Sequence, residues 1–165
     1  MRAALIRLAY LLSLILLSPV ALAEAYTGIV VGVADGDTIT VLDEHKTQHR
    51  VRLMGIDAPE KKQAFGTVSR QHLASLVFKQ LVVVETTKVD RYKRQIGKVK
   101  VGSTDVNLEQ VKAGFAWHYK KYQREQTAMD RALYAEAEEA AQQKRVGLWS
   151  DKEPVAPWDF RRERR

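Results

Sequence analysis

Cysteine is absent from the 165 residues, so neither a disulfide framework nor a thiolate metal site is available and stability must come from packing. Histidine is sparse, and His49, His72 and His118 show no spacing typical of a zinc site; they read as ordinary surface or boundary residues. The apolar stretch from Leu8 to Leu17 falls short of the roughly 20 residues that a membrane-spanning helix needs.

That stretch has a different character. Arg2 and Arg7 precede it and Ala21-Leu22-Ala23 follows, the order of a basic region, an apolar core and an A-x-A cleavage site. Residues 1–23 therefore read as a signal peptide rather than an uncleaved anchor. Cleavage after Ala23 removes two of the 27 basic residues and none of the 20 acidic ones, leaving 25 against 20, a charge of +5. The expected product is exported, periplasmic or secreted, and monomeric, with no stable membrane association once the leader is gone. A positive potential recruits polyanions in general, whether nucleic acid, anionic membrane or acidic polysaccharide.

The remaining length suits one domain, expected over 24–150, followed by a basic, Pro-containing tail over 151–165 that reads as poorly ordered. Ile29 to Val33 is β-prone, stops at Asp35-Gly36 and resumes as Thr38 to Leu42, which predicts a hairpin. His49 to Ile56 alternates, with Val51 and Leu53 on one face and Arg52, Met54 and Ile56 on the other. Helical spacing of Val68, Leu73, Leu76 and Val77 predicts a helix over about 67–79. Two strands follow, Leu81 to Thr86 and Ile96 to Val101, then a short helix with Asn107 as its N-cap and Gly114 as its stop. Thr127 and Asp130 are spaced like a capping box for a longer helix carrying Leu133, Ala137, Ala140 and Ala141 along one face. Periodicity supports an α+β, mainly β, class; five short strands with late helices suggest an OB-type Greek-key barrel with three helices.

Four carboxylates stand near strand ends: Asp35, Asp37, Asp57 and Glu60. Turn geometry explains Asp35-Gly36, because Asp-Gly is a strong hairpin signal, but it leaves Asp37 over. If the strands bearing Asp37 and Asp57 are neighbours, the two carboxylates and a nearby backbone carbonyl form a hard-oxygen pocket suited to calcium; the plainer reading of Asp57 is a strand end before a proline turn. Pro59 holds Ala58 extended, so Glu60 is free to act as a general base on water or to orient it. Arg52 and Arg94 are placed to neutralise charge growing on a phosphate, although Arg94, between Arg91 and Lys93, also reads as part of a solvated loop. Two arginines and no catalytic histidine favour phosphoryl chemistry.

The segments VADGDTITV at Val33–Val41, VRLMGIDAPE at Val51–Glu60, DRYKR at Asp90–Arg94 and VGLW at Val146–Trp149, in that order and spacing, resemble the staphylococcal-type thermonuclease family from about Gly28 to Trp149. The resemblance implies an OB-type barrel with three helices and a calcium-dependent endonuclease that cleaves phosphodiesters in DNA and RNA, leaving 5′-hydroxyl ends. Carried over by position, it implies that Asp37, Asp57 and the Ala58 carbonyl hold the metal and that Arg52, Glu60 and Arg94 are catalytic. It also implies that Tyr92 contacts phosphate and that Tyr122, with Tyr119 as a competitor, stacks on a base; Trp117, Tyr119 and Tyr122 also read as plain core aromatics. Two departures stand out: Lys93 replaces the glycine that many members carry before the catalytic arginine, and the loop after Glu60 is shorter.

The main rival is a non-catalytic OB-type module that binds nucleic acid or a protein partner. A second is a surface polyanion binder driven by Lys120, Lys121 and the Arg161–Arg165 run. The full set of Asp37, Arg52, Asp57, Glu60 and Arg94 favours catalysis over both.

Overall fold

The computed structural model describes residues 24–164; the expected signal peptide over 1–23 lies outside them. Strand β1 (Glu24–Val33) pairs antiparallel with β2 (Thr38–Asp43), which pairs with β3 (Gln48–Leu53). Two further residues, Ile56–Asp57, form β4. After helix α1 (Gly66–Val77), strand β5 (Leu81–Val89) returns to the other edge of β1 and continues into β6 (Gln95–Val101).

The sheet runs β3-β2-β1-β5-β6 and closes on itself through a parallel β3–β6 pairing, Val51–Leu53 against Gln95–Gly97. This is the five-stranded barrel expected from the sequence, and closure removes the exposed edges of an open sheet. Strand β1 serves both neighbours because its pairing with β2 shifts register between Val30 and Gly32, the kind of local irregularity that bends a strand at a barrel corner.

Alternation puts Val30, Ile39, Val41, Val51, Leu53, Val82, Val84 and Val99 inside, where Leu73 and Val77 of α1 pack against them. The two-residue strand β7 (Thr104–Asp105) leads into α2 (Val106–Lys112), which buries Leu108 and Val111 as expected. Its N-cap, however, is Asp105, whose side chain accepts from Leu108 N–H. Asn107 is fully buried instead: its amide oxygen accepts from Val99 N–H and its NH₂ donates to the carbonyls of Met54 and Gly97. It latches the helix across the β3–β6 seam.

Strand β8 (Trp117–His118) pairs with β4, placing Trp117 opposite Asp57, and a 3₁₀ segment, Lys120–Glu125, follows. Helix α3 (Ala128–Lys144) is capped by Thr127 accepting from Asp130 N–H, as its spacing predicts. Its inner face runs through Tyr134, Ala137, Glu138 and Ala141, while Leu133 points outward. His118 is also corrected: it is a core residue, 2 % exposed, with its Nε2 against Gln126 Oε1 at 2.9 Å.

The tail departs most from expectation. A short 3₁₀ turn, Gly147–Ser150, leads to helix α4 (Pro157–Glu163). Proline at its first turn starts a helix without losing an intrahelical bond. Ala156 and Pro157 are buried, Trp158 lies flat on Tyr119 at 5.2 Å, and Gln63 Nε2 donates to the Val155 carbonyl at 2.7 Å. One basic residue of the run that read as solvated, Arg161, is thereby delivered to the cleft, while Arg162 stays on an open surface against Asp159.

Candidate active site

The turn between β1 and β2 is pinned from beneath. Gln110 of α2 donates to the Gly36 carbonyl at 2.7 Å, and a Cβ at Gly36 would lie 1.8 Å from Ser69 Oγ and 2.7 Å from Ala58 Cβ. Glycine is required there by close approach, since Gly36 is not among the residues with positive φ, and the turn-geometry reading of Asp35-Gly36 gives way to a packing one. The pinned turn aims Asp37, whose Oδ1 accepts from Thr38 Oγ1 and whose Oδ2 accepts from Ala58 N–H at 2.9 Å.

Strand β3 is interrupted at Gly55, φ 78°, which lets Ile56–Asp57 leave the barrel and pair with β8. Asp57 itself therefore sits on β4, paired with β8 and not with β2; it lies beside Asp37 because β2 and β3 are neighbours, with Thr38 opposite Arg52, and because Ala58 N–H donates to Asp37 Oδ2. The Arg52 guanidinium joins the two carboxylates, with Nη1 2.7 Å from Asp37 Oδ2 and Nη2 2.7 Å from Asp57 Oδ1. The first contact is an ion pair without hydrogen-bond alignment.

From α4, Arg161 adds a second bridge. Its Nη2 lies 2.7 Å from Asp57 Oδ2, and its Nη1 lies 3.3 Å from Asp57 Oδ1 and 2.7 Å from Glu60 Oε1. Sequence reasoning missed this residue; the available signal was Pro157 opening a short segment that carries Trp158 and Phe160, apolar payload uncommon in a solvated tail.

Arg94 leaves the β5–β6 hairpin, where Asp90 organises the turn by accepting from the Tyr92 and Arg94 N–H groups and holding the Arg94 side chain at 2.8–2.9 Å. Burial opposes ionisation of Asp90, but these bonds hold its carboxyl below the usual range. Lys93, where many thermonucleases have glycine, adopts φ 61°, a left-handed conformation that strains a side-chain-bearing residue. Tyr92 is exposed, with the guanidinium of Arg94 5.4 Å from its ring centre. Tyr122 is also exposed, whereas Tyr119 is stacked on Trp158.

Burial pushes the Asp35 carboxyl up to about 6, and the neighbouring Asp37 charge adds to this. Burial works in the same direction on Asp37, but Arg52 and the Ala58 and Thr38 hydrogen bonds outweigh it and keep the group low. Burial leaves Asp57 above the ordinary range even against Arg161 and Arg52. Asp37, Asp57 and Glu60 are thus bridged by two guanidiniums, with Asp35 behind them, in a partly dry site.

Asp37, Arg52, Asp57, Ala58, Glu60 and Arg94 all line one open cleft of about 840 Å³, with Tyr92 and Tyr122 along it. Among the described residues no three acidic or histidine side chains converge as a self-sufficient ion site. The two adjacent buried carboxylates Asp37 and Asp57 nevertheless form an all-oxygen donor set that fits a hard divalent cation, with backbone, water and phosphate oxygens to complete its shell.

A family model described as staphylococcal nuclease homologue matches residues 50–151. The chain belongs to the staphylococcal nuclease family. Among relatives, one named "Uncharacterized endonuclease" from Haemophilus influenzae is 41% identical over 140 residues, covering 85% of this chain and 75% of its own. "Micrococcal nuclease" of Shigella flexneri is 43% identical over 146 residues, covering 83% and 81% respectively. An "Uncharacterized endonuclease" of Escherichia coli reaches 46% over 144 residues, covering 87% and 89%. The matched span of the staphylococcal nuclease family includes Arg52, Asp57, Glu60 and Arg94, while Arg161 lies beyond it.

Proposed function

We propose that the chain is an exported, calcium-dependent nuclease that hydrolyses phosphodiester bonds in DNA and RNA. Membership of the staphylococcal nuclease family makes it a hydrolase acting on nucleic acids. The observation that carries the finer reading is the single cleft gathering Asp37, Asp57, Arg52, Glu60 and Arg94.

Asp37, Asp57 and the Ala58 carbonyl would hold calcium, which would supply positive charge to a bound phosphate. Arg52 and Arg94 then bind the remaining phosphate oxygens and stabilise the charge that builds on them. Glu60 takes a proton from the attacking water as the new P–O bond forms; the bond from phosphorus to the 5′ oxygen breaks, and that oxygen leaves as a hydroxyl after protonation from solvent. Tyr92 positions the phosphate and Tyr122 offers a ring on which a base can stack, worth about 1–3 kcal/mol per base.

The test is degradation of single-stranded DNA, duplex DNA and RNA by purified mature protein with calcium and with chelator. Calcium-dependent cleavage leaving 5′-hydroxyl ends supports the reading. Binding without cleavage under every condition contradicts it.

A further inference from the structure

One of the two carboxylates assigned to the cation, Asp57, is already engaged by the protein's own positive charge. Both oxygens of Asp57 are engaged by Arg161, at 3.3 and 2.7 Å, and Oδ1 also accepts from Arg52 at 2.7 Å. The same guanidinium reaches Glu60 at 2.7 Å. Its helix is seated by the buried Ala156 and Pro157, by Trp158 stacked flat on Tyr119 and by the Gln63 bond to the Val155 carbonyl. Three of the four lone-pair sites of Asp57 are thereby used, and a second positive charge is set directly against the carboxylate that a hard cation would need.

We propose that Arg161 is a built-in competitor of the divalent cation. With Arg161 docked, Asp57 is closed to metal and Glu60 is tied away from water; cation binding displaces the guanidinium and frees both carboxylates. The two states exclude one another, so the apparent affinity for calcium is reduced by the fraction of molecules in which Arg161 is docked. The consequence is a nuclease that idles where calcium is scarce and switches on where it is plentiful. This inference rests on the calcium reading above.

The test is calorimetric titration of calcium into the full mature chain and into Arg161→Gln, Arg161→Lys and Arg162→Gln, with folding checked by thermal melting. Arg162 shares the helix but pairs with Asp159 at 3.0 Å on an open surface, so its replacement controls for general charge loss. Arg161→Gln is expected to bind calcium roughly tenfold more tightly, the change that follows from losing about 1.4 kcal/mol of competition. Arg162→Gln is expected to match wild type. Arg161→Lys, which keeps the charge but not the fork, is expected to fall between wild type and Arg161→Gln, and it carries the comparison if Arg161→Gln does not fold. Equal or weaker calcium binding in the folded Arg161 variants, with wild type binding normally, overturns the competition and leaves the calcium reading standing. If no form binds calcium, both fall.

Discussion

At the scale of single residues, the site is a set of charges held closer together than they would sit alone. Asp35 shows the cost: burial and the adjacent Asp37 push its carboxyl up to about 6. A carboxyl whose folded pKa lies above its unfolded value destabilises the ionised native state, and the effect disappears as pH falls below the unfolded pKa of about 4. Asp35→Asn keeps an oxygen to accept from Asp37 N–H and removes the charge, so it is expected to raise stability by about 1 kcal/mol at pH 7 without added calcium and by nothing at pH 3.5; chemical denaturation at the two pH values checks this. Lys93 is a second strained position, at φ 61°. Lys93→Gly is expected to stabilise by roughly 0.5–1 kcal/mol in the same assay, since the left-handed penalty of a side-chain-bearing residue outweighs the entropy glycine loses on folding.

At the scale of elements, short connections matter more than the strands themselves. The buried Asn107 ties α2 to the carbonyls of Met54 and Gly97 and to Val99 N–H. Asn107→Ala is expected to cost about 2–3 kcal/mol, because the buried Val99 N–H and Met54 carbonyl lose their bonds to the amide while the Gly97 carbonyl keeps only Met54 N–H, which a shift in the urea midpoint would reveal. His118 of β8 behaves as a buried base: burial lowers its pKa despite the Gln126 hydrogen bond and the Glu138 charge. Its stabilising effect is therefore complete above the unfolded pKa of about 6.5 and is lost as pH falls through the lower folded value, so the melting temperature should drop in that window and drop less in His118→Gln. The barrel strands, α1 and the Thr127 cap were legible because period-two and period-3.6 patterns and capping chemistry are local. The role of Asn107, the burial of His118 opposite Ile56 and the seating of α4 were not, because each depends on contacts tens of residues away along the chain. The candidate site was legible in part: the motifs pointed to Asp37, Arg52, Asp57, Glu60 and Arg94, which line one cleft, whereas Arg161, which lines it too, lay in a segment whose charge alone suggested solvent.

At the scale of the whole molecule, a closed barrel presents one charged cleft bounded by the β1–β2 turn, the β5–β6 hairpin and α4. The chain carries 27 basic and 20 acidic residues, and a basic protein gripping a few phosphates loses affinity with salt by counterion release, with a log–log slope of about −2 for three contacts on a single strand. A slope near zero would argue against phosphate-led binding. The central claim is that this cleft performs the hydrolysis, with Glu60 acting on water. The most direct test compares single-turnover cleavage and equilibrium binding of a single-stranded oligonucleotide by wild type and Glu60→Gln in calcium. Glu60→Gln is expected to retain oligonucleotide binding within severalfold while cleavage falls by at least about 10²-fold, the scale expected for loss of a general base. Cleavage by Glu60→Gln at the wild-type rate would contradict it.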